Sequence, residues 1–111
     1  MNKLNILWVS DNKEAFINMV AMYALNSKMH GWWEEVNLII WGPSANLANE
    51  DPQVQNELLE MLAHGITIEA CKACADKYGV SDELSHMGIN VRYMGEPLTE
   101  YLNKNEKMIT I

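Results

Sequence analysis

Cys71 and Cys74 lie three residues apart in the segment Glu69-Ala70-Cys71-Lys72-Ala73-Cys74. That C-x-x-C spacing suits sulfur, redox or metal chemistry. In a reducing compartment such a pair is more readily two thiols than a structural disulfide. The β-forming run Ile66-Thr67-Ile68-Glu69-Ala70 comes just before Cys71, and a helix-compatible stretch to Tyr78, closed by Gly79, comes just after it. Cys71 is therefore expected at a strand-to-helix junction, where unpaired N–H groups and positive partial charge favour a thiolate. Lys72 would add to this effect. Glu69 would oppose it, since it lies two residues back on the same face of the strand. Cys74, on the same face of the short helix, could resolve a sulfenate, disulfide or persulfide formed at Cys71; alternatively it packs as a small apolar residue. A C-x-x-C oxidoreductase is a weaker reading, because the motif follows a third strand, unlike the thioredoxin arrangement.

Other chemistries lack their residues. The first expected turn, Ser10-Asp11-Asn12-Lys13-Glu14, has no glycine and two carboxylates, which excludes a dinucleotide fingerprint. No Gly-Lys-Ser/Thr follows any strand to hold nucleotide phosphates. A phosphoacceptor receiver would want an aspartate where Cys71 stands, so Asp11 reads as a helix cap. His30, His64 and His86 give the cysteines no second ligand pair at zinc-finger spacing, and no metal or cofactor is expected. His30 and His64 each precede a glycine and suit the carboxyl ends of helices.

The elements that must position these residues alternate regularly. Leu4 to Val9 reads as a strand, followed by a helix from about Asn12 to about His30 with almost no polar face, implying that something else covers it. Val36 to Trp41 is a second strand, ended by Gly42-Pro43-Ser44 and a loop of several residues. Asp51-Pro52 starts a helix with Val54, Leu58, Met61 and Leu62 on its apolar stripe, and Gly65 stops it. The third strand and cysteine helix come next. A short helix opens at Ser81-Asp82-Glu83 and ends near Gly88, Asn90 to Met94 is a fourth strand, Pro97 starts a helix to about Lys104, and Lys107 to Ile111 is a terminal strand. This alternation implies a three-layer α/β/α fold with a five-stranded parallel sheet and right-handed crossovers, in one domain over residues 1–111. Strand order is not legible. The ligand crevice of such a sheet lies beyond the carboxyl ends of the strands, which selects Asn12, Trp41, Gly42, Ser44, Cys71 and Glu96.

Composition sets the class. The chain has 111 residues, 49% of them apolar and 21% charged, values of a globular protein able to bury a core without staples. Fifteen acidic against eight basic residues give a formal charge of -7, which repels phosphate backbones and anionic lipid. No nucleic-acid or membrane partner is expected. The apolar run at Leu4 is too short for a signal-peptide core or a membrane span, so a cytoplasmic location is expected.

The segment from Gly65 to Val80, with Cys71 after the third strand, resembles the third strand and following helix of DsrE/DsrF-like proteins. Ile39-Ile40-Trp41-Gly42-Pro43-Ser44 resembles that family's second strand and glycine-containing turn. The order of elements agrees over essentially the whole chain. The resemblance implies a flavodoxin-like fold, assembly into homo- or hetero-oligomers such as trimers or hexamers, and, as in sulfur-relay members, persulfide transfer on Cys71 between donor and acceptor proteins. The nearly all-apolar first helix, four tryptophans and eight methionines point independently to assembly. The expectation is a small oligomeric sulfur carrier acting through Cys71, with Cys74 resolving and Trp41 and Ser44 walling the pocket. The rival is a non-enzymatic oligomeric module that binds a small ligand or a protein and whose cysteines are structural.

Overall fold

A computed structural model describes residues 2–111. Five parallel strands, β1 (Lys3–Trp8), β2 (Glu35–Ile40), β3 (Thr67–Cys71), β4 (Asn90–Arg92) and β5 (Lys107–Thr110), form one sheet in the order β4-β3-β2-β1-β5. Leu7 pairs with Ile39 of β2, Ile39 with Glu69 of β3, and Cys71 with Arg92 of β4. The first helix runs continuously as α1 (Lys13–Ala15), a π-helical stretch (Phe16–Ala21) and α2 (Met22–Met29). After β2 come α3 (Ser44–Glu50) and α4 (Pro52–Ala63), after β3 come α5 (Lys72–Tyr78) and α6 (Ser81–His86), and α7 (Gly95–Asn103) joins β4 to β5.

From β1 to β4 each crossover steps one strand in the same direction, so right-handed connections put α1 through α6 on one face. The last crossover returns from one edge of the sheet to the other and puts α7 alone on the opposite face. The crowded face carries the larger core. Leu4, Ile6 and Trp8 of β1, Val36, Leu38 and Ile40 of β2, and Ile68 and Ala70 of β3 alternate toward it and meet Phe16, Val20, Ala24, Val54, Leu58, Met61 and Leu84 from the helices. The other face has a smaller cluster of Ile39, Cys71 and Met94, flanked by Leu7, Trp41, Cys74, Leu98, Tyr101 and Met108. Three layers are present, as the alternation requires, but they are lopsided.

Several boundaries differ from the sequence expectations. No multi-residue loop follows Gly42-Pro43: Gly42 takes a left-handed φ of 71°, Pro43 has φ -57°, and α3 begins at once at Ser44 with Ala45, Leu47 and Ala48 buried. The cap of α1 is Asn12 rather than Asp11. Its Oδ1 accepts from the Ala15 N–H at 3.0 Å, while Asp11 is exposed. The fourth strand stops at Arg92 and α7 opens at Gly95, which puts Pro97 third in the helix, where its missing N–H costs nothing. His30 and His64 do end helices, each with Nδ1 against the carbonyl four residues back, at 2.9 and 2.8 Å. Among the described residues no helix is long and apolar enough to cross a membrane.

Asp51 starts α4 by accepting from the Gln53 and Val54 N–H groups at 2.9 and 3.1 Å, and it also meets Lys13 Nζ at 3.0 Å. Asp51→Ala should cost about 1 kcal/mol. Leu38→Ala, in the middle of the central strand and fully buried, should cost about 2–5 kcal/mol. Urea denaturation read by far-UV circular dichroism will rank the two; equal losses would contradict the packing described here.

Candidate functional site

The carboxyl end of β3 brings the two cysteines together. Cys71 is the last strand residue, with extended φ and ψ of -65° and 113°, and Lys72 begins α5. The motif therefore straddles the junction, and one turn of helix carries Cys74 back over the strand end. Cys71 is 5% exposed and Cys74 half-buried, and both are free thiols. Cys74 packs against the small cluster that Cys71 forms with Ile39 and Met94. Burial pushes the Cys74 thiol up, and the contact with Cys71 pushes it further, while the Gly42 N–H directed at its sulfur pulls the other way. Cys74 thus keeps its proton at neutral pH.

The remaining candidates divide around this pair. Gly42 belongs to it through that N–H, and Trp41 packs on the Ile39–Cys71–Met94 cluster. Ser44 is fully buried and directed into the scaffold: its Oγ lies 2.6 Å from the Trp8 carbonyl, 3.1 Å from the Trp41 carbonyl and 3.2 Å from the Trp41 N–H, tying together the ends of β1 and β2. Asn12 spends its side-chain oxygen on the helix cap. Glu96 is exposed and lines a shallow depression on α7 with Thr99, Glu100, Asn103 and Lys104. Lys72 does not assist Cys71. Its ammonium pairs with Asp76 at 2.8 Å, one turn along α5, and stands 5.7 Å from the centre of the Tyr93 ring. Among the described residues no three His, Cys, Asp or Glu side chains gather closely enough to hold a metal ion.

The charge that opposed a thiolate in the sequence is accounted for in the structure. Glu69, only 6% exposed, accepts at Oε1 from Tyr101 Oη at 2.6 Å and Asn37 Nδ2 at 2.9 Å. Its Oε2 accepts from Arg92 Nε at 2.8 Å and from the Arg92 terminal NH2 group. Asn37 in turn donates to Asn5 at 3.1 Å and accepts from Thr67 at 2.7 Å, and Asn5 donates to Glu106 at 2.9 Å. A polar row therefore crosses the second face of the sheet from β4 to β5. Burial pushes the Glu69 carboxyl up, but the bonds from Tyr101, Asn37 and Arg92 together outweigh it and hold it below the ordinary glutamate value. Burial, then the neighbouring carboxylate, push the Tyr101 phenol up to about 12. Arg92 and Tyr101 were not singled out from sequence. Only the strand pairing of Cys71 with Arg92 and the return of α7 across the sheet bring them here.

The family model that matches this chain is the DsrE/DsrF-like family, over residues 5–111. The chain belongs to the DsrE/DsrF-like family. Among solved structures it is similar to a conserved protein of unknown function, BT1422, from Bacteroides thetaiotaomicron, at 56% identity and a TM-score of 0.97, covering 99% of this chain and 95% of that one. It is also similar to MTH1491, a protein of unknown function from Methanobacterium thermoautotrophicum (13% identity, TM-score 0.81), and to the ychN protein from E. coli (19%, 0.73), each covering 100% of both chains. At those identities the last two show a shared fold alone. None of the curated proteins matches the chain. In this DsrE/DsrF-like chain Cys71 stands at the junction between β3 and α5.

Glu69 also makes stability depend on pH. Its folded carboxyl ionises below the ordinary glutamate value of 4.5, so its contribution is complete above that value and is lost as pH falls through the lower folded one. Glu69→Gln should therefore flatten the acid-side loss of stability, with the variant closer to wild type at about pH 3.5 than at pH 7. Urea midpoints at the two pH values check this, and a gap that widens on acidification would contradict it.

Proposed function

We propose that this DsrE/DsrF-like chain is a small oligomeric sulfur carrier of the cytoplasm, with Cys71 as the loaded residue. The observation that carries the reading is the packing of Cys71 and Cys74 in one cluster at the carboxyl end of β3. In the proposed cycle the Cys71 thiolate attacks the terminal sulfur of a donor persulfide R–S–SH. A new S–S bond forms at Cys71, the donor's S–S bond breaks, and the donor leaves as a thiolate. An acceptor thiolate then takes the terminal sulfur and releases the Cys71 thiolate. Cys74 offers a second exit: in its minor thiolate form it displaces hydrosulfide from the loaded Cys71 and leaves a Cys71–Cys74 disulfide, which an external dithiol must reduce before the next round. The Gly42 N–H and Trp41 bound the pocket in this reading, with Ser44 bracing their turn from behind and Asn12 and Glu96 on its outer rim.

Assembly is supported by the exposed side of the first helix. Met19, Met22 and Trp32 are 42%, 54% and 55% exposed, and with Asn18, Tyr23 and Asn26 they line an uncharged groove of about 280 Å3. On a chain of net charge -7 such a patch is a surface where like-charged copies can meet, in a homo-oligomer such as a trimer or hexamer. One observation favours the rival reading of a non-enzymatic binding module with structural cysteines: Cys71 is almost fully buried, as an inert core thiol would be.

Intact mass after incubation with a low-molecular-weight persulfide separates the two. Wild type should gain one sulfur, Cys71→Ser should gain none, and Cys74→Ser should gain one and hold it longer. Equal labelling of wild type and Cys71→Ser, or none of either, would leave the binding module as the better account.

A further inference from the structure

Helix α7 is held differently from the long helix α4 on the opposite face. Helix α4 buries Val54, Leu58 and Met61 completely, whereas no residue of α7 is buried. Its ends are nonetheless fixed. Met94, just before it, is 1% exposed and belongs to the Cys71 cluster. Beyond it, Asn105 has a φ of 58°, and Glu106 is held by Asn5 at 2.9 Å and Lys3 at 3.2 Å. Between these anchors the helix touches the sheet through Leu98 and Tyr101, both packed against the Ile39–Cys71–Met94 cluster. The polar attachment of that middle section to the sheet is the Tyr101 hydroxyl, which donates to Glu69 at 2.6 Å and accepts from Arg92 at 3.1 Å. Lys3 Nζ stands 4.6 Å from the centre of the same ring.

We infer that α7 is a strap over the buried cysteine, latched to β3 and β4 by the hydrogen bonds of Tyr101 to Glu69 and Arg92. Leu98 and Tyr101 of α7 pack against the cluster that holds Cys71, beside Trp41 and Cys74, and so contribute to its shielding. A reagent reaches the sulfur when the middle of α7 lifts, at the cost of the latch and the Leu98 contact. Opening is then a local event between two fixed ends, with the larger core on the opposite face undisturbed. Tyr101 is a positioning residue in this scheme: it sets how often Cys71 is reached. The inference rests on the sulfur-carrier reading for its purpose, since a carrier must shield its loaded sulfur between partners, while its test reads access alone.

Peptide-resolved alkylation of the full chain by iodoacetamide, with hydrogen exchange, tests the strap. Tyr101→Phe keeps the ring and removes the latch, and should speed modification of Cys71 about tenfold, the scale of one lost hydrogen bond to a charged group. Amides of α7 should exchange faster in that variant and those of β1 and β2 should not. Asp51→Ala, which weakens the other face, is the control and should leave the Cys71 rate unchanged. An unchanged rate in Tyr101→Phe, or equal acceleration in both variants, would overturn the inference, the second because it would mean that Cys71 is reached by global unfolding. Neither result bears on whether Cys71 accepts sulfur, which the persulfide mass shift decides separately.

Discussion

The handedness of parallel crossovers, combined with the strand order β4-β3-β2-β1-β5, governs the rest of this structure. Four strands laid down in one direction send α1 through α6 to one face and leave the other to α7. One face therefore becomes a deep apolar core. On the other, a nine-residue helix cannot cover five strands, and the strands compensate in composition. Asn5, Asn37 and Glu69 face that side and are nearly inaccessible, so each must find a partner inside the protein. The polar row that satisfies them is a consequence of the topology.

The same constraint sets the environment of the cysteine pair. A carboxylate two residues before Cys71 would be a poor neighbour for a thiolate if its charge were free. Here the charge is shared among Arg92, Tyr101 and Asn37, so that carboxylate is already compensated by its own partners. Local charge is not what favours Cys71. Lys72 is committed to Asp76, and the Gly42 backbone N–H is the donor that pulls the Cys74 thiol down against burial. The turn at Gly42 matters because its left-handed backbone brings the end of β2 up to α5.

Membership of the DsrE/DsrF-like family and a TM-score of 0.97 to a protein of unknown function establish what the chain is built like. They leave its chemistry to be argued from the site, since one fold serves many functions. The site offers two thiols packed together at a strand end and, on that face, a helix with no buried residue. That combination suits a group that must be shielded and then surrendered. The same burial would suit an inert core thiol equally well, which is why sulfur loading rather than geometry separates the two readings.

Local physics determined what the sequence revealed by itself. Runs such as Val36 to Trp41, stop signals such as Gly65 and Gly79, and the Asp51-Pro52 start depend on near neighbours, so they fixed five strands, their parallel sense and the position of Cys71 at a junction. The expected loop after Ser44 was wrong because burial of Ala45, Leu47 and Ala48 against the rest of the protein, unseen in local composition, draws those residues into a helix. Strand order, the lopsided layers and the partners of Glu69 were not legible. Arg92 lies 23 residues and Tyr101 32 residues from Glu69 in the chain, and neither separation carries a periodic signal. Tertiary structure decided these features because a buried carboxylate takes whatever donors the crossovers bring within reach, and the path of the crossovers is settled by packing the whole chain at once.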